Sequence, residues 1–139
     1  TVLSKREATM LQGIDHIEII VRDLDAYAEY LQKLGFELIM NTSHHGDSAE
    51  LKMPGSDTIF ELHQVGGEEV PGINHIALRV DDINQTHAEL QDKGIAIEEP
   101  PGDVVSTGRT NINLRDPDGR RLQLVDANRR KPRYSADGH

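Results

Sequence analysis

An internal repeat constrains this chain more than any other sequence feature. The segment GIDHIEIIVRDLDAYAEYLQKLG, which starts at Gly13, aligns at an offset of 59 residues with GINHIALRVDDINQTHAELQDKG, which starts at Gly72. Nine of the 23 aligned positions are identical, whereas unrelated segments of that length share roughly one or two identities. We therefore predict that the chain consists of two modules with the same architecture.

Each repeat begins with a strand pattern and continues with a helix pattern. Ile17, Ile19 and Val21 alternate with their neighbours, and the second copy alternates in the same way. This period of two predicts a strand with two different faces. Acidic residues then precede apolar residues at helical spacing, and a glycine, Gly35 or Gly94, ends each predicted helix.

Further strand and turn patterns follow each helix. Each module is therefore predicted to be βαβββ, which places the chain in the α+β fold class. The predicted strands are residues 36–40, 49–53 and 58–64 in the first module, and 95–98, 111–115 and 121–126 in the second. We assign an N-terminal extension to residues 1–12, a single domain to 13–126 with modules at 13–64 and 72–126 and a linker at 65–71, and a basic, flexible tail to 127–139.

Composition narrows the possible partners. The formal net charge is -9, and an acidic protein is repelled by phosphate backbones and anionic lipid surfaces, so we expect neither nucleic acid nor membrane partners. No apolar run is long enough for a membrane span, and no leader pattern opens the chain, so we expect a cytoplasmic protein. The absence of cysteine excludes thiol chemistry and thiolate ligands. A small molecule is the expected partner.

Four polar side chains are predicted to meet on one face of the sheet. If each helix packs on the apolar face of its module, the other strand face is left for a cavity. Alternation places His16, His75, Glu61 and Gln123 on that second face. If the modules pair about a pseudo-twofold axis, the four side chains converge. Two imidazoles, a carboxylate and an amide oxygen suit one divalent ion, either Ni, Co, Zn, Mn or Fe(II), with positions left open for substrate.

Other polar residues of this face are predicted to bind substrate. Arg79 lies four residues after His75, and its guanidinium would bind a carboxylate or phosphate in a bidentate manner. The alternative is that Arg79 pairs with Glu18 on the same sheet face. The predicted substrate-binding residues are Arg79, His63, Glu18 and Asn113.

Five short motifs carry a family resemblance: HIxIxVxDL, LGFE, FEL, NHIALxVDDI and DPDGxxLQL. Over residues 13–126 they resemble the vicinal oxygen chelate superfamily, which includes glyoxalases, bleomycin-resistance proteins and extradiol dioxygenases. The resemblance implies an open, cup-shaped mixed sheet with helices on its outer face, a divalent metal bound inside the cup, and a homodimer. It places the metal ligands at His16, Glu61, His75 and Gln123.

The layout is most similar to bacterial lactoylglutathione lyases, with departures. Gln123 replaces the glutamate that acts as a base in that family, and Ile20 and Val65 stand where arginine and asparagine would contact glutathione. Glu61 is therefore the predicted catalytic base. Methylmalonyl-CoA epimerases also use two histidines, one glutamate and one glutamine, but with the glutamine in the first module and a longer segment between the modules.

The predicted function is a divalent-metal-dependent enzyme of the glyoxalase type. It would isomerise or cleave a small, oxygenated, anionic substrate by proton transfer next to a metal-bound carbonyl. An Fe(II) dioxygenase is the first alternative, because His16, His75 and Glu61 match a two-His-one-carboxylate set, although extradiol dioxygenases take the carboxylate from the position of Gln123. The second alternative is a non-catalytic drug- or metabolite-binding protein of the bleomycin-resistance type, a class that generally lacks the four ligands.

Overall fold

A computed structural model describes residues 11–42, 47–104 and 109–126. The predicted N-terminal extension, apart from residues 11 and 12, and the predicted tail lie outside these residues. The elements in chain order are β1 (Leu11–Val21), α1 (Leu24–Leu34), β2 (Glu37–Thr42), β3 (Ser48–Lys52), β4 (Ile59–Gln64), β5 (Gly72–Val80), α2 (Ile83–Asp92), β6 (Ile97–Val104), β7 (Arg109–Arg115) and β8 (Arg121–Asp126).

The eight strands form one sheet, in the order β2-β3-β4-β1-β5-β8-β7-β6. Within each half, β1 pairs in parallel with β4 and β5 with β8, and the other pairings are antiparallel. The halves are joined by the antiparallel pairing of β1 with β5. This arrangement confirms the predicted α+β class and the mixed sheet built from two βαβββ units.

The helices start and end where the sequence signals predict. The Asp23 side chain accepts a hydrogen bond from the Ala26 N–H at 3.0 Å, which satisfies one of the free donors at the start of α1. Asp82 does the same for α2, with two N–H groups. Gly35 closes α1 in the left-handed conformation, with φ of 115°. In α2 the cap is Lys93, and the left-handed residue, Gly94, comes one position later.

Both helices pack on the same face of the sheet, each over its own half. Two separate apolar cores lie between helices and strands, so hydrophobic burial stabilises each half in the same way. The first core is Val21, Leu31, Ala49, Leu51 and Leu62, and the second is Val80, Ile83, Leu90, Ile112, Leu114 and Leu124. None of the helices in the described part of the chain is long and apolar enough to cross a bilayer.

The opposite face carries the polar residues and is called the polar face below. Directly paired residues of neighbouring strands point to the same side of a sheet. One row of such partners crosses this face as Glu50, Glu61, Glu18 and His75, and a second as His16, Ala77, Gln123, Asn113 and Glu99. No helix covers them, yet His16, Glu61 and His75 are only 2–7% exposed. This face is therefore shielded from solvent around these three side chains.

A β-bulge interrupts the pairing at the centre of the sheet. The register between β1 and β5 shifts between Ile14 and His16, so Asp15 is the extra residue of β1. The simple alternation of β1 places Asp15 and His16 on opposite faces. Because the bulge breaks that alternation, the two side chains reach each other and contact at 2.8 Å.

Candidate functional site

The two histidines of the repeat meet at the centre of the polar face. His16 on β1 and His75 on β5 have ring centroids 5.3 Å apart at an interplanar angle of 79°. Their Nε2 atoms face each other at 3.3 Å. The antiparallel β1–β5 pairing places them this close, since Glu18 is the direct partner of His75 and Ala77 that of His16.

Each imidazole has a carboxylate at its other nitrogen. Asp15 Oδ2 lies 2.8 Å from His16 Nδ1, and Glu18 Oε1 lies 3.0 Å from His75 Nδ1. A carboxylate only accepts hydrogen bonds, so the shared hydrogen is on Nδ1 in both rings. In the neutral rings the two Nε2 lone pairs then face each other. They repel unless a proton or a cation lies between them.

The other two predicted ligands lie on the final strand of each half. Glu61 Oε1 on β4 is 3.8 Å from His16 Nε2. Gln123 on β8 is 7% exposed, and its buried Oε1 has no hydrogen-bond partner among the described residues. A buried amide oxygen without a partner costs about 1–3 kcal/mol. It is therefore available to a ligand on the polar face.

These donor atoms are of the types that bind divalent metals, and the positions of the two histidines fit a shared ion. Two nitrogens bound to one ion at ~2.0–2.1 Å in a tetrahedral arrangement lie roughly 3.3–3.4 Å apart, close to the separation observed between the two Nε2 atoms. The carboxylate of Glu61 stands further away. Among residues 11–42, 47–104 and 109–126, no group of three or more His, Asp or Glu side chains is arranged to hold an ion. The four metal ligands remain a prediction.

Glu18 is an ionised carboxylate bound to its neighbours. Burial by itself raises the pKa of this carboxyl, but hydrogen bonds from His75 and Asn74 and the attraction of His75 and His63 outweigh that effect. Together they lower the pKa from 4.5 to about 2. Asn74 Nδ2 donates to Glu18 Oε1 at 2.8 Å. A substrate-binding role for Glu18 remains a prediction, but its carboxylate already orients His75.

His63 connects the polar face to the linker between the modules. This buried side chain has its Nδ1 3.5 Å from Glu18 Oε2 and its Nε2 3.0 Å from Glu69 Oε1. Glu69 also accepts a hydrogen bond from the Gly66 N–H at 2.9 Å. Both ring nitrogens of His63 thus face carboxylates, and its substrate-binding role remains a prediction.

Arg79 braces the β-bulge. Its Nε lies 3.3 Å from Asp15 Oδ1, and its Nη2 donates to the carbonyl oxygens of Ile14 and Asp57 at 3.4 and 3.2 Å. The carboxylate that Arg79 contacts is therefore Asp15, whereas the alternative partner, Glu18, contacts His75 and Asn74. Anchoring of a substrate by Arg79 remains a prediction.

Three further polar residues of this face have no role in the sequence-based prediction. Glu50 is 3% exposed and is the direct partner of Glu61 across β3 and β4, and its alternation with Ala49 and Leu51 could have revealed it. Arg121 lies two residues before Gln123 on β8, on the same face, and the same alternation marks it. Asp15 could not be found in this way, because its position depends on the bulge.

Asn113 lies beside Gln123 on the polar face, as its direct partner across β7 and β8. Its Nδ2 donates a hydrogen bond to Glu99 Oε1 at 2.5 Å, which fixes the orientation of the amide. Its buried Oδ1 has no hydrogen-bond partner in the described part of the chain. The predicted role of Asn113 in substrate binding remains a prediction, and the group without a partner is a hydrogen-bond acceptor.

A groove of about 580 Å³ lies away from these residues. It runs between the end of β1, the first turns of α1 and the start of β5, and its lining includes Tyr27, Tyr30 and Pro71. It contains none of the predicted ligands or substrate-binding residues. The candidate site is therefore the polar face and not this groove.

Sequence comparison identifies the family to which this chain is similar. Residues 13–124 match the family described as the Glyoxalase/Bleomycin resistance protein/Dioxygenase superfamily. The chain is 29% identical over 126 residues to a probable lactoylglutathione lyase of Synechocystis sp., a match that covers 84% of this chain and 96% of the relative.

Solved structures of methylmalonyl-CoA epimerases share the fold. The enzyme from Mycobacterium tuberculosis superposes with a TM-score of 0.74 at 24% identity, covering 90% of this chain and 92% of the other. A variant of the Streptomyces coelicolor enzyme in complex with 2-nitronate-propionyl-CoA superposes with a TM-score of 0.70 at 27% identity, covering 88% and 99%. With the paired βαβββ units and the match over residues 13–124, this chain belongs to the Glyoxalase/Bleomycin resistance protein/Dioxygenase superfamily.

Proposed function

We propose that this protein is a divalent-metal-dependent enzyme of the glyoxalase type, which isomerises or cleaves a small oxygenated substrate by proton transfer next to a carbonyl. The observation that carries the proposal is the pair of imidazoles whose Nε2 atoms face each other at 3.3 Å. Carboxylates at both Nδ1 atoms hold them in this orientation. Such carboxylates typically orient metal-binding histidines.

Four residues would hold the ion: His16 and His75 through Nε2, Glu61 through its carboxylate and Gln123 through Oε1. A bound divalent ion would polarise the substrate carbonyl and stabilise the negative charge that develops on its oxygen. Glu61 would take the proton from the carbon next to that carbonyl and return it to the product. The buried polar face would exclude water from the reaction.

The relatives support the class of reaction but not its substrate. The Synechocystis relative bears the name of a lyase, and the two structural neighbours described above are methylmalonyl-CoA epimerases, one of them in complex with 2-nitronate-propionyl-CoA. We extend from them to this chain only the expectation of a small carbonyl compound. The hemithioacetal of methylglyoxal and glutathione and methylmalonyl-CoA are therefore the first substrates to assay.

Metal content tests the proposal directly. We expect full-length protein purified without added metal or a nickel column to contain about one divalent ion per chain by elemental analysis. We also expect its melting temperature to rise with the preferred ion among Ni, Co, Zn, Mn and anaerobic Fe(II), because an ion that binds only the native state stabilises it. His16→Ala should abolish both effects, whereas His87→Ala, on α2, should leave both unchanged.

The other outcomes would point to the alternatives. A protein that contains no metal and shows no melting shift would support the non-catalytic binding protein instead. A strong preference for Fe(II) would favour oxygen chemistry, and a preference for Ni, Co or Zn would favour proton transfer.

The role of Glu61 has its own test. Glu61→Gln keeps the shape of the side chain but removes the proton acceptor, so we expect turnover to fall at least about a hundredfold with an unchanged melting temperature in metal-free protein. Glu37→Gln, at an exposed position of β2, is the matched control and should keep full activity. An active Glu61→Gln protein would remove Glu61 as the base.

Two further parts of the proposal concern the assembly and the compartment. We propose a homodimer in the cytoplasm, on the basis of the family resemblance. Light scattering after size exclusion should give twice the monomer mass, and a monomer at micromolar concentration would contradict the dimer. Fractionation of the source cells should place the protein in the cytoplasmic fraction.

A further inference from the structure

Several positions of the polar face that are equivalent in the two halves differ in charge. Glu18 on β1 and Ala77 on β5 are counterparts in the repeat, and they pair with Glu61 and Gln123 respectively. One strand further out, Glu50 pairs with Glu61 and Asn113 pairs with Gln123. At each of these three positions, a carboxylate of the first half is therefore replaced by a neutral side chain in the second.

Two apolar residues of the first half are replaced by arginines. Ile20 corresponds to Arg79 in the repeat. Ile59, two residues before Glu61, corresponds to Arg121, two residues before Gln123. At these equivalent positions, the first half of the polar face is acidic and the second half is neutral or basic.

Arg121 lies on this face beside another arginine, Arg115, whose guanidinium already bonds to Glu98 and to the Gly119 carbonyl oxygen. The β5–β8 ladder pairs Ile76 with Leu122, so the preceding residues, His75 and Arg121, lie side by side. The buried Nε of Arg121 has no hydrogen-bond partner among residues 11–42, 47–104 and 109–126. Arg79, by contrast, already contacts Asp15 and two carbonyl oxygens.

An amide oxygen near Arg121 is also unused. The buried Oδ1 atom of Asn113 has no hydrogen-bond partner within the described ranges. Asn113 lies on the polar face, since it pairs with Gln123, two residues along β8 from Arg121. The Asn113 amide cannot turn around without losing the hydrogen bond from its Nδ2 to Glu99. This part of the face therefore offers an unused acceptor near the guanidinium of Arg121.

We propose that Asn113 and Arg121 form a subsite for a small hydroxycarboxylate. The guanidinium of Arg121 binds the carboxylate of the ligand, and a hydroxyl of the ligand donates its hydrogen to Asn113 Oδ1. The carboxylates of Glu18, Glu50 and Glu61 repel the anionic end of the ligand from the first half. The ligand is thereby oriented with its carboxylate next to Arg121 and its uncharged end towards Glu61.

This subsite deepens the proposed function, because it names the substrate class bound at the same polar face, and it rests on that function only for the identity of the reaction. Binding is therefore measured without turnover. Isothermal titration of full-length protein, metal-loaded and chelator-treated, compares three probes: glycerate, propionate, which lacks the hydroxyls, and glycerol, which lacks the charge. We expect glycerate to bind more tightly than either of the others.

Variants identify the groups responsible. Arg121→Gln should weaken glycerate and propionate binding about tenfold or more, whereas Arg120→Gln, at a neighbouring side chain that is 79% exposed, should not. Arg121→Lys should retain part of the affinity, and it replaces Arg121→Gln if circular dichroism shows that the latter does not fold. Asn113→Leu should reduce the affinity for glycerate to that for propionate.

Three results would overturn the subsite: no acid binds the wild type, Arg121→Gln and Arg121→Lys bind as well as the wild type, or Arg120→Gln loses as much affinity as Arg121→Gln. Different results would contradict the proposed function. A protein that contains no metal but binds glycerate through Arg121 would retain the subsite and lose the metal enzyme. A protein that binds metal in the wild type and in Arg121→Gln, but binds no acid, would retain the enzyme and lose the subsite.

Discussion

The buried histidines and carboxylates of the polar face determine one another's chemistry. His75 makes Glu18 a stronger acid than an ordinary glutamate, and Glu18 in turn holds the hydrogen of His75 at Nδ1. Asp15 and His16 form the same kind of pair. These second partners decide which ring nitrogen is presented to a ligand. Substitution of Asp15 or Glu18 should therefore change which ring nitrogen the paired histidine presents, although the histidine itself is unchanged.

The lowered pKa of Glu18 predicts a pH-dependent contribution to stability. A carboxyl whose pKa falls from 4.5 to about 2 on folding stabilises the native state fully above pH 4.5, and that contribution is lost as the pH falls towards 2. In chelator-treated protein, Glu18→Gln should cost about 2–3 kcal/mol at pH 5. The cost should shrink as the pH falls towards 2.

Urea unfolding at several pH values between 5 and 2 measures this difference. Glu37→Gln, at an exposed position, is the control and should follow the wild type throughout. A difference between wild type and Glu18→Gln that is constant with pH would show that the carboxylate is not selectively stabilised in the native state.

Arg79 provides a second prediction at this scale. Arg79→Ala leaves the buried carboxylate of Asp15 without its cation and removes two bonds to carbonyl oxygens, so we expect a loss of about 1–3 kcal/mol in the free energy of unfolding. Arg120→Ala, at a side chain that is 79% exposed, should cost less than about 0.5 kcal/mol.

The predicted substrate anchoring by Arg79 has a separate readout. If its guanidinium also binds the substrate, KM rises in Arg79→Ala while the metal content stays the same. An unchanged KM together with lower stability would limit Arg79 to bracing the bulge.

At the scale of elements, the two βαβββ units cap their helices in similar but not identical ways. Asp23 caps α1 through one N–H group, whereas Asp82 caps α2 through two. The helices also end differently, with the left-handed glycine at the cap in α1 and one residue beyond it in α2. The sequence signals for these ends are reliable because capping depends only on neighbouring residues.

The caps predict matched changes in stability. Asp23→Ala should lower the free energy of unfolding by about 1 kcal/mol, and Asp82→Ala by at least as much, because it leaves two N–H groups without their acceptor. Asp25→Ala, at an exposed residue of the first turn of α1 that does not cap it, is the control. Urea midpoints measure all three. An equal loss in Asp25→Ala and Asp23→Ala would indicate helix-dipole attraction and not capping.

At the scale of the whole molecule, two cores share one sheet. The units meet through the β1–β5 ladder, and that ladder also carries His16, Glu18 and His75. The candidate site thus lies where the halves are joined and belongs to neither half alone. A change that loosens one core should disturb the site through this ladder.

This arrangement predicts cooperative unfolding. Leu62→Ala empties a position in the first core that is 0% exposed, and it should cost about 2–5 kcal/mol. If the ladder couples the halves, the free energy of opening measured by amide exchange in the second core, at Ile112 for example, should fall by the same amount. Leu34→Ala, at a side chain that is 63% exposed, should have little effect. Unchanged exchange at Ile112 would show that the halves open separately.

The sequence by itself determined the repeat, the order of elements, the starts of the helices and, outside the bulge, the face on which the residues of the central strands lie. These follow from alternation, capping and turn chemistry, which act between residues that are neighbours in the chain. For this reason the sequence alone assigns His16, Glu61, His75 and Gln123 to one face of the sheet.

Only the tertiary structure decided how these residues meet. The register of β1 against β5 joins positions 59 residues apart and brings the two Nε2 atoms to 3.3 Å. The bulge in the same pair of strands turns Asp15 towards His16 and occupies Arg79, and Arg121 is left with an unpaired Nε among the described residues. A bulge depends on the pairing of distant strands, and local alternation carries no signal for it.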